Sequence, residues 1–284
     1  MVLRFIPGFA SAWVLVYVSV WSLERLAQAG RPGLGGAVYS GVGAGIAGAG
    51  VVCLLLSNAK ASSASAWLAL GFSATLVSAL IWRVFGAAPA AVGTAPVAHR
   101  GSGSAIPEFW RYVFCHGAFG LGYIIPATFL PLMAKQAISA PAVFGWAWPA
   151  FGAAAVVSTL IAAKLQELIG RRNVWVLGNV VMAIGSLLPI AWPGLAGILL
   201  AALCVGGTFM VLTMVGMQEA RRVAGDRARM LMAAMTSAFA VGQIAGPLLV
   251  ASLARREGGF SMALAIAALP LIAAAYVLHT TEER

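Results

Sequence analysis

Long apolar runs, separated by short polar stretches, follow one another along almost the whole chain. A bilayer core about 30 Å thick is crossed by about 20 apolar residues in a helix that rises about 1.5 Å per residue. Nine runs reach that length, near residues 4–26, 34–57, 66–86, 109–134, 142–168, 173–191, 194–217, 230–253 and 259–279. The pattern therefore predicts an all-α polytopic membrane protein with about nine transmembrane helices.

Most connections between these runs are short and contain helix breakers, such as Trp192–Pro193–Gly194. One connection is long. It covers residues 87–108 and is rich in Ala, Gly, Pro and Ser, a composition typical of a flexible linker. It divides the chain into a three-helix part, residues 1–86, and a six-helix part, residues 109–284.

Composition agrees with this division into membrane helices. Only 9% of the residues are charged and 61% are hydrophobic, with a mean hydropathy of +0.94. Soluble domains carry about 25% charged residues, so a surface with this few charges faces lipid rather than water. The net charge of +10 comes from basic residues that lie mainly between the apolar runs, so we expect the lipid bilayer and not nucleic acid as the partner.

The basic residues also predict an orientation. If the N-terminus lies outside, thirteen of the 18 Lys and Arg residues fall on the inner side and five on the outer side. Because cytoplasmic loops carry the excess of positive charge, we expect the N-terminus outside and the C-terminus in the cytoplasm. The expected location is the plasma membrane, the inner membrane of a bacterium.

A charged motif lies in the predicted inner loop at residues 163–172. A carboxylate at a helix end, here Glu167, can pair with an arginine or a neighbouring helix and hold the inner side shut. A loop that is merely rich in positive charge is the alternative. The stretch resembles the major facilitator superfamily motif Gly-x-Leu-x-Asp-Arg-x-Gly-Arg-Arg. The matching positions are Leu165, Gly170, Arg171 and Arg172, while Glu167 replaces Asp, Ala163 replaces Gly and Leu168 replaces Arg.

Two glycines and a proline, Gly242, Gly246 and Pro247, follow one another in the eighth run. Glycines four apart let helix backbones approach closely, and a proline removes one backbone hydrogen bond and bends its helix. The arrangement resembles the glycine–proline motif of the same superfamily. Plain helix packing and a hinge both stay open here.

Two prolines, Pro126 and Pro131, lie five residues apart in the fourth run and predict a broken or kinked helix. Such discontinuities often mark the substrate path of transporters. Residues 109–112 and 122–131 resemble the seventh helix of the YbfB/YjiJ branch of the superfamily, and residues 11–12 and 23–26 resemble its fourth helix. The resemblance implies a partial major-facilitator fold of three plus six helices, without the first three.

Polar residues inside the runs are the candidates for a substrate path. His116 is an ionisable group within the fourth run, and Tyr123, seven residues on, shares its helix face. Together they could bind a solute or relay a proton, although a neutral histidine satisfied by a neighbouring helix is the alternative. Thr128 follows on the same run. Thr236 and Gln243 share a face of the eighth run. They could bind a polar solute, or they could form hydrogen bonds between helices.

Enzyme chemistry finds little support in the sequence. The three histidines, His99, His116 and His279, are scattered, and the three cysteines form no CxxC pair, so we expect no catalytic set, metal site or cofactor. The glycines of the second run lack the strand and the acidic partner of a nucleotide loop, which favours close helix packing.

The sequence therefore predicts a secondary active transporter of a small solute, working by alternating access, with proton coupling as one option. No obligate protein partner is evident. The alternative is an N-terminally truncated, transport-inactive membrane protein, because alternating access requires two bundles.

Overall fold

The computed structural model describes residues 2–86, 106–137, 146–253 and 258–280. These residues form nine α-helices, and no strand occurs among them. The helices are α1 (Val2–Gln28), α2 (Gly35–Asn58), α3 (Ser63–Gly86), α4 (Ile106–Ala137), α5 (Ala147–Ile169), α6 (Arg171–Ala191), α7 (Leu195–Ala224), α8 (Ala228–Leu253) and α9 (Gly259–His279).

Eight stretches of the described chain are long and apolar enough to cross a membrane. Seven of them coincide with single helices. The eighth, Leu195–Leu253, has 59 residues and contains both α7 and α8, which are joined by a 3-10 turn at Gly225–Arg227. The prediction of an all-helical membrane protein is confirmed. Helices suit the bilayer because they satisfy every backbone hydrogen bond within one segment.

Helix boundaries lie within a few residues of the predicted runs, with one clear exception. Helix α7 was expected to end near residue 217 and continues to Ala224. Charged residues end the apolar run there, but alanine, glutamate and arginine are good helix formers, so the helix outlasts the hydrophobicity. Residues 87–105, which make up most of the predicted linker and include His99 and Arg100, lie outside the described residues, as does the expected start of the fifth run at 142.

The predicted inner loop at residues 163–172 is wrong in detail. Its first seven residues form the last two turns of α5, and α6 begins at Arg171, so Gly170 alone connects the two helices. Gly170 has φ +81°, a left-handed conformation that glycine adopts without strain. The motif is therefore a sharp corner between two long helices.

The fourth run is predicted to be broken or kinked, and the break is not found. Helix α4 runs without interruption through Pro126 and Pro131, and α8 runs through Pro247. Each proline removes a single N–H donor, and the surrounding turns keep their own hydrogen bonds, so the helix continues. The loss is tolerated where neighbouring helices pack around it, and Pro126 is buried.

Helices α4 to α9 enclose the main core. Helix α4 packs against α8 and α9, α6 packs against α7 and α9, and α5 packs against α7. The largest fully buried side chains include Trp175, Phe119 and Met214. Because lipid tails are as apolar as these side chains, close packing rather than escape from water stabilises the assembly.

Glycines make the contact between α4 and α8 unusually close. A Cβ added at Gly242 would lie 2.5 Å from the carbonyl oxygen of Gly117, and one added at Gly120 would lie 2.8 Å from the Cα of Phe239. Gly246 packs against Ile124 in the same way. The glycine pair thus lies at a close contact between helices, which agrees with the packing alternative, and a hinge at this place stays a prediction.

A second glycine contact joins α2 to α5. Gly36, Gly43 and Gly50, each seven residues apart, lie against the face of α5 that runs from Pro149 to Ala163. A Cβ at Gly43 would lie 2.8 Å from the carbonyl oxygen of Gly152 and 2.8 Å from the backbone nitrogen of Val156. We call this contact the glycine seam. The prediction that the second run uses its glycines for close packing is met at these three positions, whereas Gly41, Gly45 and Gly48 have no neighbour within 4 Å of an added Cβ.

Candidate substrate path and arginine-rich end

His116 lies in the core of the six-helix part and is 2% exposed. Its ring meets the rings of Phe119 at 5.4 Å and Phe239 at 5.8 Å, measured between centroids. The ring fits because Gly216 of α7 faces it, where a Cβ would lie 3.0 Å from Nδ1. That nitrogen has no hydrogen-bond partner among the described residues, and both alternatives for His116 stay open.

Two more unpartnered polar atoms lie in the same core. They are Nε1 of Trp175, whose ring centroid is 6.4 Å from that of His116, and Oδ1 of Asn179, one turn further along α6. Both side chains are fully buried. Buried polar atoms normally have partners, so water or a solute could supply those that the described residues do not.

Tyr123 lies on the same face of α4 as His116 and extends the aromatic contacts away from it. Its ring stacks on Phe209 of α7 with centroids 4.7 Å apart and planes 15° apart. Both Tyr123 and His116 contact Phe119 and Phe239, so the structure brings these two candidates to one aromatic cluster. The cluster joins α4, α7 and α8.

The other three path candidates lie apart from this cluster. Thr128 is exposed, and its hydroxyl donates to the carbonyl oxygen of Ile124 on the same helix at 2.7 Å. Thr236 is buried and its hydroxyl donates to the carbonyl oxygen of Met232 at 2.8 Å. Gln243, two turns further along α8, is half-buried. Of these three residues, Thr236 lines a groove between α1 and α8.

This groove, the α1–α8 groove, has a volume of about 580 Å³ and separates helix α1 from helix α8. Phe9, Trp13 and Tyr17 form the aromatic wall on α1, and Arg229, Thr236 and Ser237 are the polar residues on α8. The α1 wall was not among the residues predicted from the sequence. Its periodicity was visible, since aromatic residues at positions i, i+4 and i+8 share one helix face.

A second cavity, of about 490 Å³, lies where the C-terminal end of α1 meets the corner at Gly170 and the end of α7. Three arginines, Arg171, Arg221 and Arg222, line it together with Glu167, and we call this place the arginine-rich end. The Glu167 carboxylate lies against Gly33, in the 3-10 turn that precedes α2. Motif residues thus face α1 and the turn that precedes α2.

Arg172, the second arginine of the motif, has a different place. Its Nε donates to the carbonyl oxygen of Leu278 in the last turn of α9. The last carbonyls of a helix have no partner within the helix, and a positive charge there is favoured by the helix dipole. Arg172 therefore ties α6 to the end of α9, while Glu167 and Arg171 line the cavity.

One acidic residue at the arginine-rich end forms an ion pair with an arginine of its own helix. Glu219, whose side chain is 3% exposed, accepts hydrogen bonds from Nη2 of Arg222 at 2.6 Å and from Nε at 3.1 Å. Glu24 of α1 lies close enough to Arg221 of α7 to attract its positive charge. Polar atoms without partners remain among the described residues here, on Gln166, Gln218 and Arg221.

The described residues contain no group of three or more His, Cys, Asp or Glu side chains that could hold a metal ion. The three cysteines, Cys53, Cys115 and Cys204, are all free. The polar groups that do cluster, at His116, in the α1–α8 groove and at the arginine-rich end, lie between helices. Long apolar helices with polar groups held between them are typical of integral membrane proteins that handle solutes.

Comparison with known proteins defines the family. The chain matches, over residues 1–279, the family described as "Uncharacterised MFS-type transporter YbfB". The protein belongs to this family of the major facilitator superfamily, as the motifs suggested. No curated protein and no solved structure matched the chain. The family is one of transporters, so the chain is an integral membrane protein of a transport family with a small-molecule substrate.

Proposed function

We propose that the protein is a secondary active transporter that moves a small solute by alternating access. The observation that carries the proposal is the glycine seam. At Gly36, Gly43 and Gly50, α2 contacts α5 through backbone and small side chains. Few side chains therefore interlock across this contact. A smooth contact between two bundles allows one bundle to rock on the other.

The arginine-rich end gives such a rocking motion a place to close. Glu167 and Arg171 on the six-helix part face α1 and Gly33 on the three-helix part across one cavity. When the bundles approach, a carboxylate and several guanidinium groups would form charge-assisted hydrogen bonds there, and separation would break them. We propose this motif as the latch of the closed state.

The substrate path in this proposal runs past the aromatic cluster and the α1–α8 groove. His116, Tyr123, Thr128, Thr236 and Gln243 are the polar candidates along it, with proton coupling at His116 as one option. Gly242, Gly246, Pro247, Pro126 and Pro131 are proposed to shape the two helices, α4 and α8, that carry these side chains.

We propose nine crossings, divided into three plus six. The stretch Leu195–Leu253 would be about 88 Å long as a single helix, far more than a core about 30 Å thick, so it crosses twice. An odd number places the ends on opposite sides, with the N-terminus outside and the arginine-rich end in the cytoplasm. A fluorescent protein fused to the C-terminus checks this: we expect fluorescence, because such fusions fluoresce only inside the cell.

Gly43→Ala tests whether transport depends on motion at the glycine seam. The chain is reconstituted into proteoliposomes, and uptake is measured for a panel of neutral, monoanionic and cationic solutes, with and without a proton gradient. We expect the wild type to move at least one solute and Gly43→Ala to reduce that rate at least tenfold, because the added methyl group meets Gly152 and Val156.

Gly41→Ala is the matched control, because a Cβ at Gly41 has nothing within 4 Å. It should transport at the wild-type rate. Equal rates for both variants would contradict rocking at the seam. A wild type that moves nothing in the panel would favour the alternative, a transport-inactive chain.

A further inference from the structure

The α1–α8 groove has a chemistry that the family assignment does not specify. One side is aromatic, the opposite side carries two hydroxyl groups, and one end carries a single charge. Among the described residues that line the groove, Arg229 alone is charged. Its volume, about 580 Å³, lies within the range of about 300–1,000 Å³ that is typical of sites for small molecules.

We propose that the α1–α8 groove binds an amphipathic monoanion: a carboxylate with an elongated aromatic body. The proposal rests on the proposed transport function and names the substrate class of that path. The carboxylate lies at Arg229, the aromatic body lies along α1, and a polar group at its far end meets the α8 hydroxyls.

Arg229 sets both the sign and the place of the ligand charge. A guanidinium group presents paired N–H donors that match a carboxylate, and its charge persists at any physiological pH. The residue is exposed at the first turn of α8, beside the arginine-rich end, since the preceding turn follows directly from α7. The ligand therefore enters the groove with its charged end toward the arginine-rich end.

The aromatic wall selects the body of the ligand. The rings of Trp13 and Tyr17 are stacked, with centroids 5.3 Å apart and planes 29° apart, and the ring of Phe9 lies 5.8 Å from that of Trp13. The three rings thus form a continuous strip on one face of α1. A flat apolar ligand that lies on this strip gains ring–ring contact in addition to burial of its surface.

The spacing along α8 sets the length of the ligand. Arg229 and Ser237 are eight residues apart, which is about 12 Å along a helix axis. Ser237 is exposed in the groove, and Thr236 beside it already donates its proton to Met232, which leaves its oxygen as an acceptor. A hydroxyl group about 10 Å from the carboxylate would therefore meet both an acceptor and a donor.

The probe that tests this is a hydroxybiphenyl carboxylate, which has a carboxylate at one end of two linked rings and a hydroxyl at the other. Its binding to the purified chain in lipid nanodiscs is measured by equilibrium dialysis, with empty nanodiscs to subtract partition into lipid. The matched amide, which lacks the charge, is measured in parallel. We expect the carboxylate to bind at least tenfold more tightly than the amide.

Arg229→Gln should reduce binding of the carboxylate to the level of the amide. Arg227→Gln is the matched control, because Arg227 lies two residues away, is exposed and does not line the groove. It should bind within twofold of the wild type. Arg229→Lys keeps the charge and should retain part of the preference for the carboxylate, which separates a lost charge from a misfolded variant.

The aromatic wall is tested by Trp13→Ala, which should weaken binding about tenfold. Trp67→Ala is its control, since Trp67 is an exposed tryptophan on α3, away from the groove. Equal affinity for carboxylate and amide, equal loss in Arg229→Gln and Arg227→Gln, or no binding of either probe in the millimolar range would each overturn the proposal.

Binding and transport separate the two proposals. Selective binding without flux of any solute would support the groove and contradict the transporter. Flux of neutral or cationic solutes without binding of the carboxylate would support the transporter and overturn the groove as a site for anions.

Discussion

The three-helix part, α1 to α3, and the six-helix part, α4 to α9, use equally apolar sequences in different ways. In α3, none of the residues of the most apolar window is buried within the protein, whereas half of those in α4 and in α6 are. Trp82 of α3 is 75% exposed, whereas Trp175 of α6 is fully buried. The same residue type thus faces lipid in one part and packs in the core of the other.

Hydrophobicity alone therefore does not determine which membrane helices pack. In lipid, an exposed leucine or tryptophan meets hydrocarbon and loses nothing, so apolar residues do not drive helices together. What distinguishes the helices that do pack is small residues at the contacts, such as Gly120 with Gly242 and Gly43 with Gly152. Helix α2 belongs to the three-helix part by sequence, but its glycine seam ties it to α5 of the six-helix part.

The largest difference in stability between the two parts is expected at two tryptophans. Trp175→Ala should destabilise the protein by about 3–5 kcal/mol, because it leaves a large cavity in a packed core. Trp67→Ala should change the stability by less than about 0.5 kcal/mol, because Trp67 is 64% exposed. Thermal unfolding of both variants in detergent measures the difference. Equal midpoints would show that the six-helix core contributes no more than the exposed face of α3.

Glycine contacts should come next in size. Gly120→Ala should destabilise the protein by about 1–3 kcal/mol, since the added methyl group meets the backbone of Phe239. Gly207→Ala on α7, where a Cβ would have nothing within 4 Å, should leave the unfolding midpoint unchanged or raise it slightly. A fall of similar size in both variants would mean that glycine flexibility, not close packing, matters.

His116→Phe tests whether the buried histidine stabilises the core of the six-helix part. It removes a buried nitrogen that has no partner among the described residues, which favours the variant, and adds ring volume against Gly216, which opposes it. We expect the two effects to offset each other to within about 1 kcal/mol in the thermal midpoint. Destabilisation by about 3 kcal/mol or more would indicate that His116 makes a hydrogen bond that stabilises the fold.

The smallest effect is expected at the arginine-rich end, where the two parts meet. Glu219→Gln removes the ion pair with Arg222, whose side chain is 52% exposed, so water replaces much of the lost interaction. The change in stability should stay below about 1 kcal/mol, measured by the same thermal unfolding. Glu167→Gln, at an exposed position of the same cavity, is the control and should change the midpoint even less.

Local patterns predicted much of the fold. The lengths of the apolar runs anticipated the helices to within a few residues, and the motifs at Gly170 and Gly242 pointed to the family that the comparison confirmed. The errors were local too. Charged residues predict an end of α7 near 217 and a loop before Arg171, but both helices continue through them. Hydropathy follows the membrane, and a helix can extend beyond the membrane.

The positions of the candidate site residues relative to one another were predicted less well. His116 and Tyr123 share a face of α4, and the structure brings both to one aromatic cluster. The aromatic wall of α1 was missed because nothing in its spacing says that it faces Arg229 on α8, more than 200 residues further along. The two arginines of the motif look equivalent in sequence, yet one lines a cavity and the other caps α9.

Membrane location, the approximate positions of the helices and the family could all be predicted from the sequence, because apolar runs and motifs are patterns of residues close together in the chain. Only the tertiary structure decided which glycines form seams, which tryptophans face lipid and which polar groups share a cavity. Those outcomes depend on contacts between helices, and in a bilayer such contacts follow from the fit of particular side chains rather than from hydrophobicity.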